Sequence, residues 1–211
     1  MDRSTQAASV FNKRAELYQQ KFMDVSMYEP SLDIFCQSLP NTEPSVLDVA
    51  CGPGNITRYL LSVRPELHIL GIDLAPDMIR LAKENNPGAA FQVLDAREIQ
   101  LLPGSFDGIV SGFCFPYLSR KEVTEWIRNA ASMLPEGGLL YMSTMEDEYQ
   151  KSGLVRSSAG DELYMHFHEE QHLTQCLKDE NLAIEFRDLL LYTNAKGEPV
   201  RDLILIGRKL K

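Results

Sequence analysis

The stretch VLDVACGPGN, residues 46–55, decides how the rest of the chain is read. An apolar run of strand length ends in a glycine-rich turn, where backbone can approach a ligand closely and a following helix can aim its N–H groups at anionic atoms. A phosphate-bearing dinucleotide is the first ligand such a turn suggests, but two features argue against it. The run Gly52-Pro53-Gly54-Asn55-Ile56-Thr57 lacks the third glycine of the dinucleotide fingerprint. Asp48, just ahead of the turn, would repel a pyrophosphate and attract an ammonium group.

Outward from this turn, strand-like and helix-like segments alternate. SVLDVA (45–50), LHILGID (67–73), FQVLD (91–95), FDGIVSGF (106–113) and LLYMSTM (139–145) read as strands, with helices after the first, second and fourth. Pro76 suits the first turn of the helix PDMIRLAKEN, and Ser119 with Glu122 forms a capping-box pattern before SRKEVTEWIRNAASML. Strands apolar on both faces, alternating with helices, predict a parallel sheet covered on both sides. After a helix over about 169–180, LAIEFRDLLLY and RDLILIGRKL flank the turn TNAKGEP and predict an antiparallel hairpin. The expected sheet has seven strands, six parallel and one reversed.

Ahead of this unit, Phe11, Ala15, Tyr18 and Phe22 recur on one helix face, and Leu32, Phe35, Cys36 and Leu39 repeat the pattern. The turn Asn41-Thr42-Glu43-Pro44 sets this region apart, so the division is an N-terminal helical cap over 1–44 and a single folding unit over 45–211.

The 211 residues suit such a unit, and 44% hydrophobic residues can build its core. A net charge of −9 leans away from nucleic acid, whose partners carry basic patches. Cys36, Cys51, Cys114 and Cys176 are scattered, which fits reduced thiols in the cytoplasm. No signal-type apolar run or membrane-spanning stretch is apparent, and no membrane partner is expected.

Two further acids end strands. Asp73 closes the second strand, where a carboxylate can accept ribose hydroxyls, and Asp95 closes the third, where an adenine amino group can donate to it. An amino acid at Asp48, a ribose at Asp73 and an adenine at Asp95 together describe S-adenosylmethionine. Singly, each acid has a plain structural explanation, as a buried acid satisfied by turn amides or as a strand-end cap. The joint pattern is harder to explain so.

The motifs LDVACGPG, LGIDLAPDMI, VLDARE, FDGIVS and LPEGGLLYMST, in this order and spacing, resemble the class I S-adenosylmethionine-dependent methyltransferases of the small bacterial type. The resemblance implies a Rossmann-like three-layer αβα sandwich with a seven-stranded, mostly parallel sheet and an antiparallel C-terminal hairpin behind an N-terminal helical lid. By motif position it implies that Asp48, Ala50, Gly52 and Gly54 line the methionine end, and that Asp73 binds the ribose with Leu74 and Met78 against the adenine. It also implies Asp95 and Ala96 at the adenine edge, Ser111 and Gly112 at the sulfonium side, and Tyr18 over the cofactor. Ala75 departs from the family, where many relatives carry a helix-capping serine.

The implied activity is methyl transfer to a small-molecule acceptor, leaving S-adenosylhomocysteine. The acceptor itself, the need for a general base and the choice between monomer and homodimer do not follow from the sequence. Candidate acceptor-facing residues are Tyr28, Phe115 and Tyr117, with His166 and His168 in the insertion over 146–168. SGFCFPY (111–117) lacks the double proline of enzymes that methylate nucleic-acid amino groups. His168-Glu169-Glu170-Gln171-His172 matches the H-E-x-x-H zinc signature, but it falls at a helix start, its third ligand would have to come from the loosely placed Glu185 or Glu198, and no metal is expected. Two other classes stay open: a cofactor-binding regulatory or scaffold protein without catalysis, and a nicotinamide-dependent reductase on a similar sheet.

Overall fold

The computed structural model describes residues 2–40, 42–156, 160–194 and 197–211. Asn41 of the predicted first turn, 157–159 of the insertion, and Ala195 and Lys196 of the hairpin turn lie outside them.

The chain begins with α1 (Arg3–Lys13), α2 (Ala15–Phe22) and α3 (Glu29–Ser38). Then follow β1 (Ser45–Val49), α4 (Asn55–Val63), β2 (His68–Asp73), α5 (Pro76–Asn85), β3 (Ala90–Val93), β4 (Gly108–Gly112), α6 (Arg120–Met133) and β5 (Leu139–Met145). The small strands β6 (Gly153–Arg156) and β7 (Glu162–Met165) precede α7 (Glu170–Asp179), β8 (Leu182–Thr193) and β9 (Pro199–Lys209). The main sheet has the order β3-β2-β1-β4-β5-β9-β8. β1 to β5 pair in parallel, and β9 runs antiparallel between β5 and β8. Of the seven strands only β9 is reversed, as the sequence predicted.

The apolar strands are buried on both faces. Leu47, Ile109, Leu140 and Leu205 pack with Trp126 and Ile127 of α6 and Leu173 of α7. Their sequence neighbours Val46, Val110, Leu139 and Ile206 pack on the opposite face with Leu32 and Phe35 of α3 and Leu60 of α4. The Ser119–Glu122 capping box starts α6 as its spacing predicted.

The N-terminal helices divide. α3, expected to belong to the cap, contributes Leu32, Phe35 and Cys36 with no exposed surface and is part of the core. α1 and α2 bury only Ala7 and Ala15, respectively. The insertion, which the sequence left without defined structure, forms the separate antiparallel hairpin β6–β7.

Sheet order reverses between β1 and β4, with the chain departing to opposite sides at their carboxyl ends. Such a switch point opens a crevice where ligands of α/β sheets bind. Gly54 shapes that crevice as the residue before α4, with φ at +78°. A Cβ there would lie 2.3 Å from the Asn86 amide nitrogen and 3.3 Å from the Ala82 Cα, and no L side chain adopts the backbone without strain. Gly54→Ala is expected to cost about 1–3 kcal/mol in urea unfolding, whereas Gly88→Ala changes little. Gly88 has open space where its Cβ would be.

Candidate active site

The site is built from strand ends. Beyond β1 the chain turns through Ala50, Gly52 and Gly54, and the turn is tied down on two sides. The Asp73 carboxylate, at the end of β2, accepts from the Gly52 N–H at 3.0 Å with one oxygen and from the Ala75 N–H at 2.8 Å with the other. The buried Asn86 amide, just beyond α5, donates to the Gly54 and Ala82 carbonyls. Each Asp73 oxygen keeps acceptor capacity toward the crevice. Burial pushes the Asp73 carboxyl up, while the N–H groups of Ala75, Gly52 and Leu74 pull it back.

One cavity occupies the crevice. Of the residues singled out from the sequence, its walls include Tyr18, Ala50, Gly52, Asp73, Leu74, Met78, Asp95, Ala96, Gly112 and Tyr117. Ala50 and Phe113, which follow β1 and β4, both hold φ at +56°. Non-glycine residues resist that conformation, and such strain clusters at ligand sites.

Other predicted residues lie elsewhere. Gly54 shapes the turn without reaching the wall. Ser111 is fully buried inside β4, its hydroxyl without a hydrogen-bond partner. Asp48 is 1% exposed behind the turn, where the Thr57 hydroxyl donates to its Oδ2 at 2.6 Å and Oδ1 has no partner. Phe115, expected to face an acceptor, is fully buried with its ring 5.2 Å from that of Trp126. An aromatic of that size gains more from the apolar space under α6 than from the crevice rim.

His166 and His168 are corrected in the same way. Both are buried, and the His168 Nε2 lies 2.9 Å and 3.1 Å from the carbonyls of Phe115 and Leu118, so it fastens the 3₁₀ turn Phe115–Tyr117. Desolvation lowers the His168 pKa to about 4. A neutral ring that bonds two carbonyls is a structural clamp. His166 stacks on Tyr149 at 5.9 Å and its amide donates to the Pro116 carbonyl. His172 sits instead against Thr124 and Cys176.

The roof comes from α1, within the expected N-terminal helical lid, though Ser4, Ala7 and Ala8 were not singled out from the sequence. Ser4, Ala7, Ala8 and Phe11 line the cavity, and the Ser4 hydroxyl donates to the Tyr117 carbonyl at 3.0 Å. The small residues Ala7 and Ala8, one turn ahead of Phe11, were the available signal. Arg97 ties roof to floor. It grips Asp95 through Nε and an Nη2 contact of 2.6 Å, and reaches Glu122 and the helix-capping Asp2 at 3.2 Å each.

The residues present fit S-adenosylmethionine. Two strand-end carboxylates offer acceptors for ribose hydroxyls and an amino group, Leu74 and Met78 give an apolar wall, and the orphaned Asp48 Oδ1 is the atom a cationic group would satisfy. No lysine or arginine is among the described residues that line the cavity, so a pyrophosphate finds no counter-charge there. A mostly parallel seven-stranded sheet with its reversed penultimate strand, and acids closing β2 and β3 around a glycine turn, give the chain the fold and strand-end pattern of the class I S-adenosylmethionine-dependent methyltransferases.

Comparison with known proteins agrees. Residues 46–138 match a family described as methyltransferase domain. The chain is 31% identical over 150 residues to trans-aconitate 2-methyltransferase of Methylobacterium nodulans, covering 67% of this chain and 54% of that protein. It is 36% identical over 110 residues to malonyl-[acyl-carrier protein] O-methyltransferase of a Paenibacillus species, covering 49% and 39%. A solved S-adenosylmethionine-dependent methyltransferase from Methanosarcina mazei has the same fold, with a TM-score of 0.70 at 22% identity, covering 82% of this chain and 96% of that one. The chain spans about a third to a half of the length of the curated relatives it matches first.

Burial also sets a pH dependence. It raises the Asp48 carboxyl to about 7, against the pull of the Thr57 hydrogen bonds. The folded chain therefore binds this proton where the unfolded carboxyl, titrating near about 4, has lost it. Stability is highest below about pH 4 for this group and falls as the pH rises toward about 7. In Asp48→Asn the ionisation is gone. Urea midpoints should favour the variant increasingly from about pH 5 to about pH 8, by on the order of a few kcal/mol, and a constant gap refutes the assignment.

Proposed function

We propose that the chain transfers a methyl group from S-adenosylmethionine to a small-molecule acceptor. The observation that carries this reading is the Asp73 carboxylate, tied to the Gly52 and Ala75 N–H groups and facing one cavity with Asp95. A nicotinamide dinucleotide would bring its pyrophosphate to a turn with acids on both sides and no cation on the cavity wall. The sulfonium supplies an already activated methyl group, so alignment and exclusion of water are what the protein must add, and orientation alone is worth roughly 7–11 kcal/mol.

The chain's own residues suit that division of labour. Asp73 positions the ribose, Asp95 the adenine edge with Ala96, and Leu74 and Met78 one apolar face. Asp48, buried behind the turn, backs the methionine end through its hydrogen bond with Thr57. Tyr18, whose phenol burial and Asp73 push up to about 12, stays neutral and closes the methionine end with Phe11. The roof helix α1 excludes water.

The acidic surface supports a small molecule over nucleic acid as acceptor. The four buried free cysteines support a reducing compartment such as the cytoplasm. No helix of the described residues is long and apolar enough to cross a membrane.

Calorimetric titration with S-adenosylhomocysteine, with NAD run alongside, tests the reading. Binding of the thioether and not of NAD is expected. Asp73→Ala should weaken the thioether by about tenfold or more, because two hydroxyls and two backbone N–H groups lose their acceptor together. A folded chain that ignores S-adenosylhomocysteine refutes the reading.

A further inference from the structure

Behind Phe113, on the cavity wall, stands a polar pair that no motif accounts for. Tyr28, at the end of the 3₁₀ turn Ser26–Tyr28, packs its ring 5.3 Å from that of Phe113, which lines the cavity. Its hydroxyl donates to Asp202 Oδ2 at 2.8 Å. Asp202 lies in β9 opposite Met145, at the carboxyl end of β5, while Gly112 on the cavity wall pairs with Ser143 two residues earlier. The pair therefore stands at the same edge of the sheet as the crevice, one aromatic ring away from it.

A plain fastener between α3 and the sheet does not explain the pair well. Asp202 has no exposed surface, and its Oδ1 has no hydrogen-bond partner. A buried carboxylate left partly unsatisfied costs stability that a phenylalanine–leucine contact would not. Tyr192 brings a second phenol to the same carboxylate from β8. Groups kept at such a cost cluster where function needs them.

Resting on the methyltransferase reading, we propose that Tyr28 is the acceptor-binding hydroxyl and that, with Asp202, it selects an acceptor carrying an O–H or N–H, an alcohol, phenol or amine, over a carboxylate. The argument is one of donors and acceptors. The Tyr28 proton is committed to Asp202, so toward a ligand the phenol oxygen can only accept. A ligand that meets it must bring a proton. An ionised carboxylate brings none, and it would face Asp73 and Asp95 with no lysine or arginine among the described residues of the cavity wall. Burial and the nearby Asp202 hold the Tyr28 phenol protonated, and burial raises Asp202 above an ordinary carboxylate, which makes it a better proton sink.

The proton path balances. As the acceptor heteroatom bonds to the methyl carbon, the C–S electron pair leaves with sulfur, the acceptor proton passes to the Tyr28 oxygen, and the Tyr28 proton passes to Asp202 Oδ2. This selectivity differs from what the names of the two curated relatives specify, since trans-aconitate and a malonyl group are acids.

The test does not need the natural acceptor. The full chain loaded with S-adenosylhomocysteine is examined by saturation-transfer NMR with phenol, benzylamine and benzoate, probes of similar size. Phenol and benzylamine are expected to bind, and benzoate about tenfold more weakly or worse. Tyr28→Phe should weaken phenol about fivefold or more and leave affinity for S-adenosylhomocysteine unchanged. Tyr192→Phe, which leaves the Tyr28 bond in place, should retain the preference for phenol over benzoate and serves as the structural control. Benzoate binding as well as phenol overturns the proposal. So does phenol that fails to bind the loaded chain, or that binds Tyr28→Phe undiminished. A wild-type chain that does not bind S-adenosylhomocysteine breaks the underlying reading instead, so the two failures are told apart.

Discussion

The Asp73 carboxylate is the constraint on which the site depends. It ends one strand, caps the backbone that enters α5, and holds the glycine turn that leaves the neighbouring strand. Three elements are set in register by one side chain, and both of its oxygens are committed to N–H groups before any ligand arrives. The same carboxylate then faces the cavity with its remaining lone pairs, so its rigidity is the rigidity of the binding surface. Asn86 does the complementary work on the far side of the turn. Only because the turn is fixed twice can Ala50 be held at a positive φ at the cavity wall.

The electrostatics follow one sign. Asp48, Asp73, Asp95 and Asp202 gather around the carboxyl ends of the sheet, and Arg97, beside Asp95, is turned onto Asp95, Glu122 and Asp2. Burial raises three of these acids, Asp48, Asp73 and Asp202, above the usual carboxylate range. Such a site favours cationic and proton-donating ligands, as a sulfonium or an amine is, and opposes phosphates and carboxylates.

Much of this was legible in the sequence, for identifiable reasons. Strands buried on both faces read as unbroken apolar runs, so VLDV, LGID and GIVSG announced themselves. The acids at their ends stood out because an ionisable residue inside such a run needs a reason. What was not legible involves partners far apart in the chain. Phe115 and His168 looked like rim residues because their neighbours are polar or turn-forming. The apolar space under α6 and the carbonyls of the Phe115–Tyr117 turn claimed them, and neither is visible from local spacing. Asp202 was hidden at the polar start of RDLILIGRKL, where nothing in the local pattern sets it apart. The β6–β7 hairpin lacks the period-two pattern of a half-buried strand, with burial reaching only intermediate levels along its length.

The roof has a consequence for traffic. α1 and α2 each fully bury a single alanine; beside a small apolar cluster of Phe11, Ala15 and Tyr18 on Ala75, Met78 and Leu81, they are held by exposed ion pairs and single hydrogen bonds, such as Arg80 with Glu16 and the Asp77 N–H with Asn12. Contacts of that kind are individually weak, and segments held by them open long before a core does. The chain thus joins its N-terminal helices to the frame through a small satellite cluster, set apart from the two large clusters that hold the sheet. Ligand exchange can proceed through the first 22 residues while the sheet and its strand-end acids stay assembled, so each new cofactor meets a floor already shaped for it.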